Sequence, residues 1–201
     1  GEYDNVELVM EDFLQTDLSA RVEELRAQGY DVVIAANLPY YITTPILFKI
    51  FESEADIAAI TVMMQREVAL RLAAAPGTAD YGAFTVYLTW HCEAERLFDV
   101  PPECFMPRPK VTSSVVRLTP RTAPLCPVRD EALMFRCVKA AFAQRRKTLS
   151  NALGNGLGSL KPLVLPALER AGIDPRARGE TLSCADFARL SDALSGLLTE
   201  N

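Results

Sequence analysis

Two short apolar runs, Val6 to Met10 and Asp31 to Ala36, lack the alternation of polar and apolar positions that marks a half-exposed strand. That pattern predicts strands of a parallel sheet covered on both faces. Between them, Leu18 to Gln28 has helical spacing and stops at Gly29. The second run leads into the turn Asn37-Leu38-Pro39-Tyr40. Thr44 followed by Pro45 predicts a helix start, hydroxyl cap then proline at the first position, with Ile46, Leu47, Ile50 and Phe51 on one face. Ile57 to Met64 reads as a third strand running into a helix from Gln65 to Ala75. Strands alternating with helices predict an α/β doubly wound sheet.

The alternation breaks further on. Glu93 to Val100 and Thr112 to Leu118 are strand-like but are separated by a proline-studded loop, which suits an antiparallel pair at a sheet edge. Seven of the thirteen prolines lie between residues 101 and 127, and Thr119 to Pro127 reads as a linker. Beyond it the pattern is helical. Asp130 can cap a helix whose stripe is Leu133, Met134, Cys137, Val138, Ala141 and Phe142; Ser183 with Asp186 starts another carrying Phe187, Leu190, Leu194 and Leu197. The expected organisation is a sheet-containing domain over 1–127 and a small all-helical domain over 128–201.

Composition sets the class. With 49% apolar and 23% charged residues the chain is an ordinary globular protein, and no run is long enough to span a membrane. The acidic N-terminus is unlike a signal peptide, so a cytoplasmic protein without membrane association, and a monomer, is expected. Five scattered cysteines with no close pair, and one histidine, His91, argue against a disulfide framework or a metal site.

Charge changes the picture once it is divided along the chain. Residues 1–100 carry a net −11, residues 101–150 a net +7 and residues 151–201 a net −1. A basic block in an acidic chain suits a phosphate-facing surface, since Lys and Arg gain affinity by releasing counterions from a nucleic-acid backbone. A solvated helical face would carry the same charges.

The turn Asn37-Leu38-Pro39-Tyr40 follows a predicted strand, at the carboxyl edge where α/β sheets place ligands. An adenine N6 amine is a poor nucleophile, because its lone pair is delocalised into the ring. Methylating it requires acceptors that hold its two hydrogens and favour a pyramidal nitrogen. Asn37 offers a side-chain oxygen, Leu38 a backbone oxygen, Pro39 a stiff turn and Tyr40 a face on which an extruded base can stack. A strand ending in an Asn-x-Pro turn with a half-buried tyrosine is the plainer alternative. Gly154-Asn155-Gly156-Leu157-Gly158 contains G-x-G but follows a basic helical stretch, and reads as a helix-terminal loop instead of a cofactor cradle.

Residues Asn37 to Pro45 resemble the signature of the small-subunit ribosomal RNA adenine N6,N6-dimethyltransferases, the KsgA family. Four further segments resemble it in the same order: Gln65 to Ala69, Pro76-Gly77 with Tyr81-Gly82, Phe105 to Val111, and the basic helical segment Phe142 to Leu149. The resemblance implies a class I, Rossmann-like methyltransferase sheet followed by a small helical domain. It implies S-adenosylmethionine as methyl donor, no metal, and 16S rRNA in the 30S subunit or its precursor as partner, with two adjacent adenines near the 3′ end dimethylated. Carried over by position, Asp12 would bond the adenine amine of S-adenosylmethionine, with Phe13 beside that ring and Asn37 at the methyl-transfer end. Phe105 would stack on the target adenine opposite Tyr40. Arg108, Lys110, Gln144, Arg145, Arg146 and Lys147 would contact rRNA.

The glycine-rich loop after a first strand and the acid ending a second, which class I methyltransferases use for this cofactor, are absent from the sequence. The resemblance therefore implies a sheet lacking its first strands, an unpartnered Val6 to Met10 and an exposed apolar edge. Alternatives are a 23S rRNA adenine methyltransferase of the antibiotic-resistance type, a DNA amino-methyltransferase, and a non-catalytic RNA-binding or ribosome-assembly module.

Overall fold

The computed structural model describes residues 3–200. Helix α1 (Leu18–Ala27) precedes strand β1 (Val33–Asn37), helix α2 (Thr43–Glu52), strand β2 (Ala59–Gln65) and helices α3 (Arg66–Leu72) and α4 (Ala83–His91). Strands β3 (Cys92–Val100) and β4 (Ser113–Pro120) follow, then α5 (Glu131–Ala143), α6 (Leu149–Gly156), α7 (Lys161–Arg170) and α8 (Cys184–Thr199). The sheet order is β1-β2-β4-β3, with β1 parallel to β2 and the other pairs antiparallel. The expected antiparallel pair is present, and β4 joins it to the parallel part.

Helices cover one sheet face. Ile60, Val62, Met64, Val116 and Leu118 are buried there against Leu18 and Val22 of α1, Leu47 and Ile50 of α2, and Leu88 of α4. On the other face the cross-strand row Ala35, Thr61, Arg117, Glu95 has three exposed members, Thr61 being half-buried. The expectation that β1 is covered on both faces is therefore corrected: Val33, Ala35 and Asn37 are exposed. Val6 to Met10 is also no strand. It runs without a sheet partner, and Leu8 and Met10 are more than four-fifths exposed. Its apolar spelling is that of a buried strand, but no described strand lies beside it to complete a ladder.

Helix α2 starts two residues earlier than expected, at Thr43 instead of Pro45. Ile42 occupies the cap position without a side-chain bond, and the Thr43 hydroxyl donates instead to the Pro39 carbonyl at 3.1 Å. Pro45 falls third in the helix, where a missing N–H still costs nothing because the first amides have no intrahelical acceptor. Helix α4 gave no periodic signal. Val86 and Trp90 pack into the helical cluster while Tyr87 and Leu88 pack into the sheet cluster, so the helix is apolar on opposed sides.

The C-terminal helices form the second core, around fully buried Met134, Leu153, Leu168 and Phe187. Both expected caps are present. The Asp130 carboxylate accepts from the Leu133 amide at 2.9 Å, and Ser183 and Asp186 form a reciprocal capping box. The glycine cluster is corrected: Gly154 and Gly156 lie within α6, and only Gly158, with φ +58°, turns the chain. A Cβ on Gly156 would stand 2.4 Å from the Ala140 Cβ, so the α5–α6 contact requires glycine there. The stretch Gln144 to Lys147, expected to be helical, is the turn between α5 and α6.

His91 lies where the two cores meet. Its ring centroid is 4.4 Å from that of Tyr87 and 6.0 Å from that of Phe135, and its Nε2 is buried without a hydrogen bond. Burial holds its pKa below the ordinary value, against the nearby Glu54 carboxylate. It ends α4 beside the Cys92–Pro120 pair, at the end of the sheet away from the Asn37 turn. A cavity of about 850 Å³ opens at that distant end, lined by Phe51, Ile57, Tyr87, His91 and Phe135 among others.

Candidate active site

Register places the Asn37 turn and the aromatic loop at one end of the sheet. Asn37, the last residue of β1, pairs with Met63; two residues on, Gln65 pairs with Ser113, the first residue of β4; and Ser113 pairs on its other side with Val100, the last residue of β3. Residues 101–112 are thus a loop held shut at its base beside the carboxyl ends of β1 and β2. The Arg66 amide donates to the Thr112 carbonyl at 3.0 Å and fastens the loop to the start of α3.

The turn itself is fixed by local bonds. The Leu38 amide donates to the Met63 carbonyl at 3.0 Å, and the Leu38 side chain is buried, so the backbone cannot rotate away from the sheet. The Pro39 carbonyl accepts from both the Ile42 amide (3.2 Å) and the Thr43 hydroxyl (3.1 Å). The Asn37 side chain is exposed, and no side-chain hydrogen bond engages it among the described residues. Tyr40 is half-buried, and its hydroxyl meets the fully buried Ser113 Oγ at 2.6 Å. One bond therefore ties the proposed stacking ring to the base of the aromatic loop.

Phe105 is half-buried in that loop, with its amide bonded to the Pro102 carbonyl at 3.2 Å. Pro107 follows a cis peptide bond. Phe105 and Tyr40 are not in ring contact with each other, which leaves the two faces separate. Arg108 pairs with Glu103 within the loop, and Lys110 is exposed without an ion pair among the described residues.

At the foot of the loop lies a network sequence reading missed. The Asp99 carboxylate accepts from the Ser114 hydroxyl at 2.6 Å and from Arg96 at 2.8 and 2.9 Å, and pairs with Arg66 at 3.3 Å. The Ser114 bond and then the Arg96 bond hold its pKa below the usual carboxylate value. Nothing local in the sequence signals this cluster, because its members come from three separate elements.

Asp12 lies in the exposed segment after Met10. One carboxylate oxygen accepts from the Leu14 amide at 2.9 Å, the other has no hydrogen bond among the described residues, and Phe13 packs against the sheet core. The basic positions divide. Arg145, Arg146 and Lys147 are all exposed; Arg146 and Lys147 have no ion pair among the described residues, whereas Arg145 bonds Glu180 and the carbonyls of Ala79 and Tyr81, and Gln144 accepts from Asn155 at 3.1 Å. Among the described residues no cluster of His, Cys, Asp and Glu could hold a metal, and no helix is long and apolar enough to cross a membrane.

The parallel β1–β2 pair with the Asn-Leu-Pro-Tyr turn at its carboxyl end, and the helical C-terminal part, fit a methyltransferase of the Rossmann-like class. The chain belongs to the ribosomal RNA adenine dimethylase family, whose model matches residues 2–195. Ribosomal RNA small subunit methyltransferase A of Geobacillus thermodenitrificans is 50% identical over 198 residues, covering 97% of this chain and 68% of that protein. The protein of the same name from Bacillus cytotoxicus is 47% identical over 195 residues, covering 96% and 67%. The chain thus spans about two thirds of the length of these relatives. Among solved structures, a dimethyladenosine transferase from Plasmodium falciparum superposes with a TM-score of 0.77 at 24% identity, covering 94% of this chain and 72% of that one. The 23S rRNA methyltransferase ErmE superposes at 0.60 and 26% identity, covering 95% and 72%.

Proposed function

We propose that this protein is an rRNA adenine dimethyltransferase that moves methyl groups to N6 of two adjacent adenines near the 3′ end of 16S rRNA, in the 30S subunit or its precursor. S-adenosylmethionine supplies the methyl group from its sulfonium. The observation that carries the reading is the convergence of the Asn37 turn and the Phe105 loop at one sheet end, linked by the Tyr40–Ser113 bond.

At that corner Asn37 Oδ1 and the Leu38 carbonyl would accept the two amine hydrogens, or the one left for the second transfer, and turn the nitrogen lone pair toward the donor methyl; the N–C bond would form as the sulfonium S–C bond breaks, with the neutral thioether leaving and the cationic nitrogen losing a proton to water. Tyr40 and Phe105 hold the extruded base from its two faces. The reaction needs alignment and exclusion of water more than a strong base. Asp12, with one carboxylate oxygen still free to accept, fits the adenine amine of S-adenosylmethionine, and Phe13 fits the ring beside it. Residues 1–127 then form the methyl-transfer part and 128–201 the RNA-binding part; Arg146 and Lys147 in the second, and Lys110 in the first, are exposed cations with no ion pair among the described residues. The enzyme acts as a cytoplasmic monomer.

The test is methyl transfer from labelled S-adenosylmethionine to undermethylated 30S subunits, 50S subunits and DNA, with the enzyme at the full length of its relatives. Only 30S should label. Asn37→Ala should lower the rate by about 10²–10³-fold, as loss of one preorganised hydrogen-bonding group at a reacting centre does, with 30S binding intact. Labelling of 50S, or equal loss of binding and transfer, overturns the assignment.

A further inference from the structure

We propose that Arg145 is a positioning residue that clasps the helical part onto the methyl-transfer part, and that the RNA-facing charge of its basic turn is carried by Arg146 and Lys147. The inference rests on the RNA-binding reading of that turn and deepens it.

By spelling, Gln144-Arg145-Arg146-Lys147 is a uniform basic cluster. In the fold it is not uniform. The Arg145 guanidinium reaches three acceptors on two segments: Glu180 Oε2 at 3.3 Å from Nε, and the Ala79 and Tyr81 carbonyls at 3.2 and 2.9 Å from Nη2. Those carbonyls belong to the loop between α3 and α4, and Glu180 to the short turn Gly179–Thr181 ahead of α8. The same two segments are joined twice more, by the Gly77 amide to the Glu180 carbonyl at 2.7 Å and by the Tyr81 hydroxyl to the Leu182 carbonyl at 2.8 Å.

Two features keep the clasp close to the basic turn. A Cβ on Gly179 would stand 2.8 Å from the Ala141 Cβ, so this turn lies directly on α5 just before Gln144. At the other end, α3 begins at Arg66, whose amide bonds Thr112 at the base of the Phe105 loop. Arg145 is thus one fastening of a short path, α3 and its following loop, from the target-base loop to the RNA-facing turn. Only a planar, multi-donor fork reaches carboxylate and carbonyls together; a lysine ammonium keeps the charge but not that geometry. A phosphate contact, by contrast, requires only the charge.

The distinction is measurable in Arg145→Ala, Arg145→Lys, Arg146→Ala and Lys147→Ala. Binding to 30S subunits across a salt series should give each of the last two a log–log slope shallower by about 0.7–0.9, as expected for one lost phosphate contact. Both Arg145 variants should keep the parent slope. In methyl transfer, both should lower kcat by about tenfold with KM little changed, the pattern of lost alignment, and lysine should not rescue. Hydrogen exchange at the Gly77 amide should accelerate in both Arg145 variants and not in Arg146→Ala. A shallower slope in Arg145→Ala that Arg145→Lys restores would overturn the proposal, as would unchanged exchange at Gly77. If Arg146→Ala and Lys147→Ala also leave the slope unchanged, the RNA reading of the turn fails, while the exchange result still decides the clasp.

Discussion

The Tyr40–Ser113 bond makes an asymmetric prediction. Ser113 is fully buried and Tyr40 half-buried, and the hydroxyl–hydroxyl distance is 2.6 Å. Tyr40→Phe removes the only hydrogen-bond partner that the described residues offer Ser113 Oγ. Leaving a buried hydroxyl unpaired costs about 1–3 kcal/mol. Ser113→Ala removes the same bond but leaves the phenol near solvent, where water replaces the partner, so the loss should be about 0.5–1.5 kcal/mol. The double variant has no orphan, and should be about as stable as Ser113→Ala alone, so the two losses fall short of additivity by the Tyr40→Phe cost of about 1–3 kcal/mol. Urea unfolding with an unchanged m value reads all four proteins. Strictly additive losses, or a costlier Ser113→Ala, would show that the bond does not join the turn to the loop.

Two further outcomes follow from particular contacts. Gly156→Ala gains up to about 1 kcal/mol of helix propensity but forces a Cβ into Ala140, at a cost of about 1–3 kcal/mol, so its melting temperature should fall. Gly154→Ala, whose new Cβ meets only the Lys161 side chain at 3.4 Å, should hold or rise in the same melt. Asp99 has a lowered folded pKa, so its stabilisation is present above the unfolded value of about 3.9 and is lost as pH falls through the folded value. Asp99→Asn should therefore be less stable than the parent at neutral pH, with the gap closing in acid unfolding curves; a gap constant with pH would refute this.

Much of the fold is legible in the sequence because local rules and burial agree. Asp130 and the Ser183–Asp186 pair cap the helices they spell, and Ile46, Leu47, Ile50 and Phe51 face the core as their spacing predicts. Failures occur where tertiary context decides. Helix α4 is buried on opposed sides and so shows no stripe. Val6 to Met10 spells a buried strand that no described partner completes. The glycines at 154 and 156 look like loop residues, but at 156 glycine permits helix contact. Within the site, the Asn37 corner is legible because it is contiguous. The Asp99 network and the bonds of Arg145 are not, since each depends on segments far apart in the chain.

A structure of the enzyme with a 16S rRNA fragment carrying the adjacent adenines tests the central claim most directly. The account predicts an extruded adenine between Tyr40 and Phe105, with N6 at hydrogen-bond distance, about 2.9–3.0 Å, from both Asn37 Oδ1 and the Leu38 carbonyl. An adenine bound elsewhere, with the Asn37 amide left in solvent, would contradict it.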